Sequence, residues 1–155
     1  MPKTLNDQQI QHFRASSRQY SDASILMHEA IARKAGLSGT DHKYLGLLLE
    51  KGPATAGELA QMTGLTTGAV TGLIDRLEKK KLVTRQFDKT DRRKVIIVPD
   101  VQNTKQLLTP IFAELQAKTA ALIASFSEAE LQLIERYFLA ATGIMQEVTT
   151  QLNEK

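Results

Sequence analysis

The stretch TAGELAQMTGLTTGAVTGLIDRLEKKKLV, residues 55–83, constrains the fold more than any other part of the chain. Thr55 followed by Glu58 is the residue pair of a capping box, in which the hydroxyl accepts from one backbone amide and the carboxylate reaches back to another. A short helix starting there ends at Thr63-Gly64, since glycine takes the left-handed turn that stops a helix at little steric cost. Thr66 or Thr67 then caps a second helix with an apolar stripe of Val70, Leu73, Ile74 and Leu77. Thr67, Gly68, Thr71, Asp75 and Arg76 are left on its outer side. Two short helices joined through a glycine turn have the sequence shape of a helix-turn-helix.

The flanks are helical too. Asn6 or Asp7 can cap a helix whose apolar residues Ile10, Phe13, Tyr20, Met27 and Ile31 recur at helical spacing up to Gly36. Ser38-Gly39-Thr40-Asp41 has the form of a second capping box, and Gly52-Pro53 stops the helix that it opens. After Leu82, period-two alternation appears in VTRQF and KVIIV with DKTDRR between them, which predicts a β-hairpin. Asp100 or Asn103 starts a long helix carrying Leu108, Ile111, Phe112, Leu115, Leu122 and Phe126 on one face, with a bend expected at Pro110. SEAE, residues 127–130, opens a final amphipathic helix. The expected architecture is mainly α with a small β-hairpin wing: a winged helix-turn-helix over residues 38–99, between terminal helices at 1–36 and 101–155, in a single domain.

Charge is unevenly spread along this frame. Residues 76–94 hold nine cations (Arg76, Lys79, Lys80, Lys81, Arg85, Lys89, Arg92, Arg93, Lys94) against Glu78, Asp88 and Asp91, although the whole chain is only +3. Such a local surplus is the footprint of a surface that binds a polyanion. The hairpin loop contains no Gly, Asn or Pro, so its composition reflects more than chain reversal. Thr55, Thr66, Thr67 and Thr71 can hydrogen-bond bases or phosphates, Gly68 permits close backbone approach, and Arg76 lies where a phosphate would pass. Lys89, Arg92, Arg93 and Lys94 would meet the duplex from the wing, while Asp88 or Asp91 pairs with an arginine or caps loop amides.

Other classes find little support. The chain has no cysteine, which excludes disulfides and thiolate chemistry. The start lacks a signal-peptide core and no apolar run is expected to span a bilayer, so a cytoplasmic protein without a membrane partner is expected. His12, His28 and His42 lack mutual metal-ligand spacing. A site joining Asp41, His42 and Glu29 is the single metal arrangement worth weighing, and an interhelix histidine is the better reading. GLTTG differs from a nucleophile elbow in having threonine for serine and no preceding strand. Neither catalytic residues nor a cofactor are expected.

Residues 55–98 resemble the winged helix-turn-helix of the MarR family of transcriptional regulators (multiple antibiotic resistance regulators). The resemblance rests on VTGLIDRLEKKKLVTR and on DKTDRR, which is similar to the family's D-x-x-D-R-R wing, and the flanking helices extend it over nearly the whole chain. It implies a homodimer built from the terminal helices, placing paired recognition helices and wings on a palindromic operator in double-stranded DNA. It also implies that Asp91 braces the wing, that Arg92 is the minor-groove arginine, and that Arg93 supports it. Repression relieved by a small phenolic or anionic effector is a further implication, with Tyr20, His28, Tyr44, Leu48 and Phe112 as candidate pocket walls. Lys81 stands where the family usually has glycine, and Val98-Pro99-Asp100 replaces the customary Leu-Thr. The rival reading is a winged-helix interaction module that docks an acidic protein.

Overall fold

The computed structural model describes residues 6–153. Six helices and three short strands follow in the order α1 (Asp7–Lys34), α2 (Gly39–Lys51), β1 (Ala54–Thr55), α3 (Ala56–Thr63), α4 (Thr67–Lys79), β2 (Val83–Phe87), β3 (Val95–Pro99), α5 (Val101–Ala124) and α6 (Glu128–Asn153). The caps account for these limits. Asn6 and Gln9 form a reciprocal capping box on α1, Thr55 and Glu58 one on α3, and Ser127 and Glu130 exchange the same bonds at the start of α6. Ser38 caps α2 through the amide of Asp41 at 3.0 Å, but the Asp41 carboxylate turns elsewhere, so the box expected there is half made. Gly36, Gly52 and Gly64 take the positive φ angles that end α1, α2 and α3.

The hairpin is joined by a strand that the sequence pattern did not announce. β1 pairs antiparallel with β3 (Ala54 opposite Ile97, Thr55 opposite Ile96), which gives the sheet order β1-β3-β2. Two residues are too few to show alternation. β2 and β3 pair from Val83 opposite Pro99 to Phe87 opposite Val95, so the second strand runs as far as Pro99. Proline is tolerated there because it occupies the strand's last position.

The buried core belongs to the winged lobe. Leu45 and Leu48 of α2, Leu59 of α3, Val70, Leu73, Ile74 and Leu77 of α4, Val83 and Ile97 of the sheet, and Ala32 and Ala35 at the end of α1 form one cluster. Each large aliphatic side chain buried here stabilises by about 2 kcal/mol. Lys81 reverses the chain between α4 and β2 at φ 58, the left-handed conformation for which glycine is better suited. Asn103 donates from Nδ2 to the Lys81 carbonyl at 3.0 Å, and the Asp100 amide donates to Leu82 at 2.8 Å. The start of α5 is thereby fastened to the lobe, with Asp100 as its cap.

The long helices bury much less. Helix α5 runs through Pro110 without interruption, and α6 has no buried residue among those described. Phe13 meets Tyr137 edge-on at 5.0 Å, and Tyr20 lies 6.1 Å from Phe138, placing α1 against α6. Tyr20, Leu122, Leu133, Phe138 and Met145 nevertheless stay exposed. The 24 residues of α5 are long and apolar enough to cross a membrane by length and composition, which corrects the expectation that no segment reaches that limit. In the fold its Leu107, Leu108 and Ile111 pack on the core of the winged lobe.

Candidate nucleic-acid interface

The recognition helix α4 buries Val70, Leu73, Ile74 and Leu77 and exposes Thr67, Gly68, Thr71, Asp75 and Arg76. Thr66 is its cap, accepting from the Ala69 amide at 3.3 Å, and the Thr71 hydroxyl donates to the Thr67 carbonyl at 3.0 Å. A Cβ on Gly68 would meet nothing within 4 Å, so no intramolecular packing requires glycine there. Thr55 lies at the opposite end of the motif with its hydroxyl given to Glu58 at 2.9 Å. The amide and hydroxyl of Thr55 hold the Glu58 carboxyl below its ordinary pKa.

Arg76 has a partner within the lobe. Its Nε and Nη2 donate to both oxygens of Asp41 on α2 at 2.7–3.2 Å, while its side chain stays 55% exposed. Arg85, one of the cations of the basic run, ties β2 to α4 by pairing with Asp75 and Glu78. The Asp75 and Glu78 spacing, one turn apart on the outer side of α4, was the available signal for that tie.

In the wing the acids turn inward to the loop. Asp88 Oδ1 accepts from the Thr90 amide (2.7 Å), the Thr90 hydroxyl (2.5 Å) and the Asp91 amide (2.9 Å). These bonds, the Thr90 hydroxyl's foremost, lower its pKa from 3.8 to about 2. Asp91 Oδ1 accepts from the amide and Nε of Arg93 at 3.1 and 3.2 Å. Two backbone bonds, Asp88 amide to Lys94 carbonyl and Lys94 amide to Asp91 carbonyl, close the loop at 2.9 Å each. Lys89, Arg92 and Lys94 are exposed, and none of them forms an ion pair within 4.0 Å among the described residues. The acids therefore shape the loop while its remaining cations face outward.

A cleft of about 650 Å³ opens between α1 and α2, lined by His28, Glu29, His42, Lys43, Tyr44 and Gly46 among others. His42 lies 5.5 Å from His28 and is stacked 6.1 Å from Phe112 of α5, which is itself 6.3 Å from His28. Burial lowers the pKa of His42, nearby His28 lowers it further, and Glu29 opposes them. Of the expected walls, His28 and Tyr44 line this cleft, while Phe112 does not line it and meets it only through the rings of His28 and His42. Tyr20 lines a separate apolar groove of about 800 Å³ with Phe13, Tyr137 and Phe138. Leu48 is 2% exposed within the core of the lobe. His42 was missing from the expected walls. No group of three or more His, Cys, Asp or Glu residues suited to a metal occurs among the described residues.

Residues 35–94 match the model of the MarR family. A Bacillus subtilis (strain 168) protein named as the uncharacterized HTH-type transcriptional regulator YcgE is 42% identical over 137 residues, covering 88% of each chain. The chain belongs to the MarR family. The HTH-type transcriptional regulator MhqR of the same organism is 30% identical over 129 residues, covering 83% of this chain and 88% of MhqR. Among solved structures, a MarR family protein from Bacillus stearothermophilus superposes with a TM-score of 0.67 at 25% identity, over 94% of this chain and 99% of its own. A transcriptional regulator from Thermotoga maritima shares the fold at 21% identity, with a TM-score of 0.63 over 90% of this chain and 98% of that one. This MarR-family chain is a DNA-binding transcriptional regulator with a winged helix-turn-helix, and it is not an enzyme.

Proposed function

We infer that this MarR-family protein is a repressor that works in the cytoplasm as a homodimer on palindromic promoter DNA and is released by a small effector. The observation that carries the DNA-binding reading is the division of charge in the wing: Asp88 and Asp91 are satisfied within the loop, and Arg92 is left exposed beside Lys89 and Lys94. Arg92 would enter the minor groove, whose negative potential favours arginine, while the lysines and Arg93 meet phosphate. Thr66, Thr67 and Thr71 would lie at base edges or phosphates in the major groove, with Gly68 allowing the backbone to approach. Thr55 would contribute through its position at the start of α3, since its hydroxyl is already bonded.

The dimer reading is supported by the large apolar residues that α1, α5 and α6 leave exposed, among them Leu26, Leu122, Leu133, Leu139 and Met145, since so many unburied apolar side chains on the long helices call for a partner surface. A twofold dimer requires a twofold site, with half-sites about one helical turn apart. The cleft at His28, His42 and Tyr44 is apolar with a few polar handles, which suits a small phenolic or anionic compound. Footprinting on fragments of the source genome tests the reading. Protection of an inverted repeat by a dimer is expected, and equal binding to all sequences, or preference for an acidic polypeptide over DNA, would overturn it.

A further inference from the structure

Phe87 is the last residue of β2, and 72% of its surface is exposed. Its cross-strand partner is Val95, itself 40% exposed. A single apolar residue at a surface is ordinary, but these two are paired at the root of a loop whose other residues are all charged or threonine. So little of Phe87 is buried that folding does not depend on it.

The register shows where the pair stands. Side chains alternate along a strand, so Val83, Arg85 and Phe87 share one face of β2, and their partners Pro99, Ile97 and Val95 share it on β3. On this face Val83 and Ile97 are buried in the lobe core, while Arg85 reaches Asp75 and Glu78 of α4. Phe87 and Val95 come next, outward of the core and of the tie to the recognition helix. Beyond them lie the exposed cations Lys89, Arg92 and Lys94 of the loop.

With α4 in the major groove and the wing tip in the adjacent minor groove, a sugar–phosphate strand has to cross the strip between them. Its phosphates suit the cations on the loop, and its deoxyribose rings are the apolar part of the backbone. The pair is continuous with the DNA-binding surface on both sides, which favours this occupant over a polypeptide.

We propose that Phe87, backed by Val95, packs on the deoxyribose of that strand and adds an apolar contact between the two grooves. It rests on the reading that α4 and the wing meet the duplex together. The contact carries no charge and reads no sequence, so it holds the wing down equally on any duplex.

The chain has no tryptophan, so Phe87→Trp yields a protein with a single indole at this position. Circular dichroism, dimer mass and an unchanged urea midpoint show that this variant and Phe87→Ala are folded. Phe87→Ala is expected to bind the footprinted duplex and an unrelated one about fivefold more weakly, with an unchanged salt slope, and Phe87→Trp to stay within about twofold of the wild type. The indole should be open to acrylamide in the free dimer, and shielded with blue-shifted emission once duplex is added. Shielding already present in the free dimer would assign the pair to a contact between copies, and an indole equally open with and without DNA would leave it off the duplex. Either result overturns the proposal, as does unchanged affinity in Phe87→Ala or a loss confined to the footprinted duplex, which would put the ring on a base. Arg92→Ala separates these failures from failure of the underlying reading. If it weakens binding while the indole stays open, the wing meets DNA without Phe87; if it has no effect and the indole stays open, the wing is not at the duplex.

Discussion

Arg85 of β2 pairs with Glu78 of α4 through its guanidinium and also donates its backbone amide to that carboxylate at 3.2 Å. With Asp75 on the other arm of the guanidinium, the first strand of the wing and the recognition helix are held as one body. Arg85→Ala should therefore lower DNA affinity by about tenfold while changing unfolding stability by about 1 kcal/mol or less, as for other exposed ion pairs. Parallel anisotropy and urea titrations check this, and a loss of stability without a loss of affinity would count against it.

Asp88 gives a prediction of opposite sign to simple electrostatics. Removing an acid from a DNA-facing loop ought to strengthen binding, yet Asp88 holds the Thr90 and Asp91 amides in place. Asp88→Ala is expected to weaken binding and to speed amide exchange at Thr90 and Asp91. In the wild type the carboxyl should titrate near pH 2 by NMR. Because its folded pKa is depressed, its contribution to wing order is fully present above the ordinary carboxylate value and is lost as pH falls toward 2.

His42 sets a pH dependence at the cleft. Its folded pKa is lowered, mainly by burial, so below the ordinary value of 6.5 the unfolded chain binds the proton more readily than the folded one. Stability should fall as pH drops from 6.5 through the folded pKa and then level off. Urea unfolding across that range should show a shallower dependence for His42→Gln, and an identical profile would exclude His42 as its source.

Lys81 occupies a left-handed turn at φ 58. Lys81→Gly should stabilise the protein by about 0.5 kcal/mol, since a side chain in that conformation is strained by about 1–2 kcal/mol and glycine's extra unfolded freedom offsets about 0.5–1 kcal/mol of the gain. Lys81→Ala retains the strain and should show no such gain in chemical unfolding.

Much of the framework was legible because caps and periodicity are local. Asn6, Thr55, Thr66 and Asp100 all begin helices where their side chains can accept an amide, and Val70, Leu73, Ile74 and Leu77 are buried as one stripe. Pairings distant in sequence were not legible. Nothing near Asp41 indicates that its carboxylate will leave the capping box for Arg76, 35 residues away. Tyr20 and Leu48 share an aromatic or apolar character with the cleft walls, but helix rotation sends one to the α6 groove and the other into the lobe core. The two-residue strand Ala54–Thr55 exists because β3 lies beside it, a tertiary cause that no short window can show.

The central claim is that the wing divides its charges between bracing and DNA contact, with Arg92 on the DNA side. Anisotropy titration of wild type and Arg92→Ala on the footprinted duplex, between about 50 and 200 mM salt, tests it most directly. Binding weakened about tenfold or more, a salt slope reduced by about one charge per protomer and an unaltered dimer mass are expected. Unchanged affinity and slope in Arg92→Ala would contradict it.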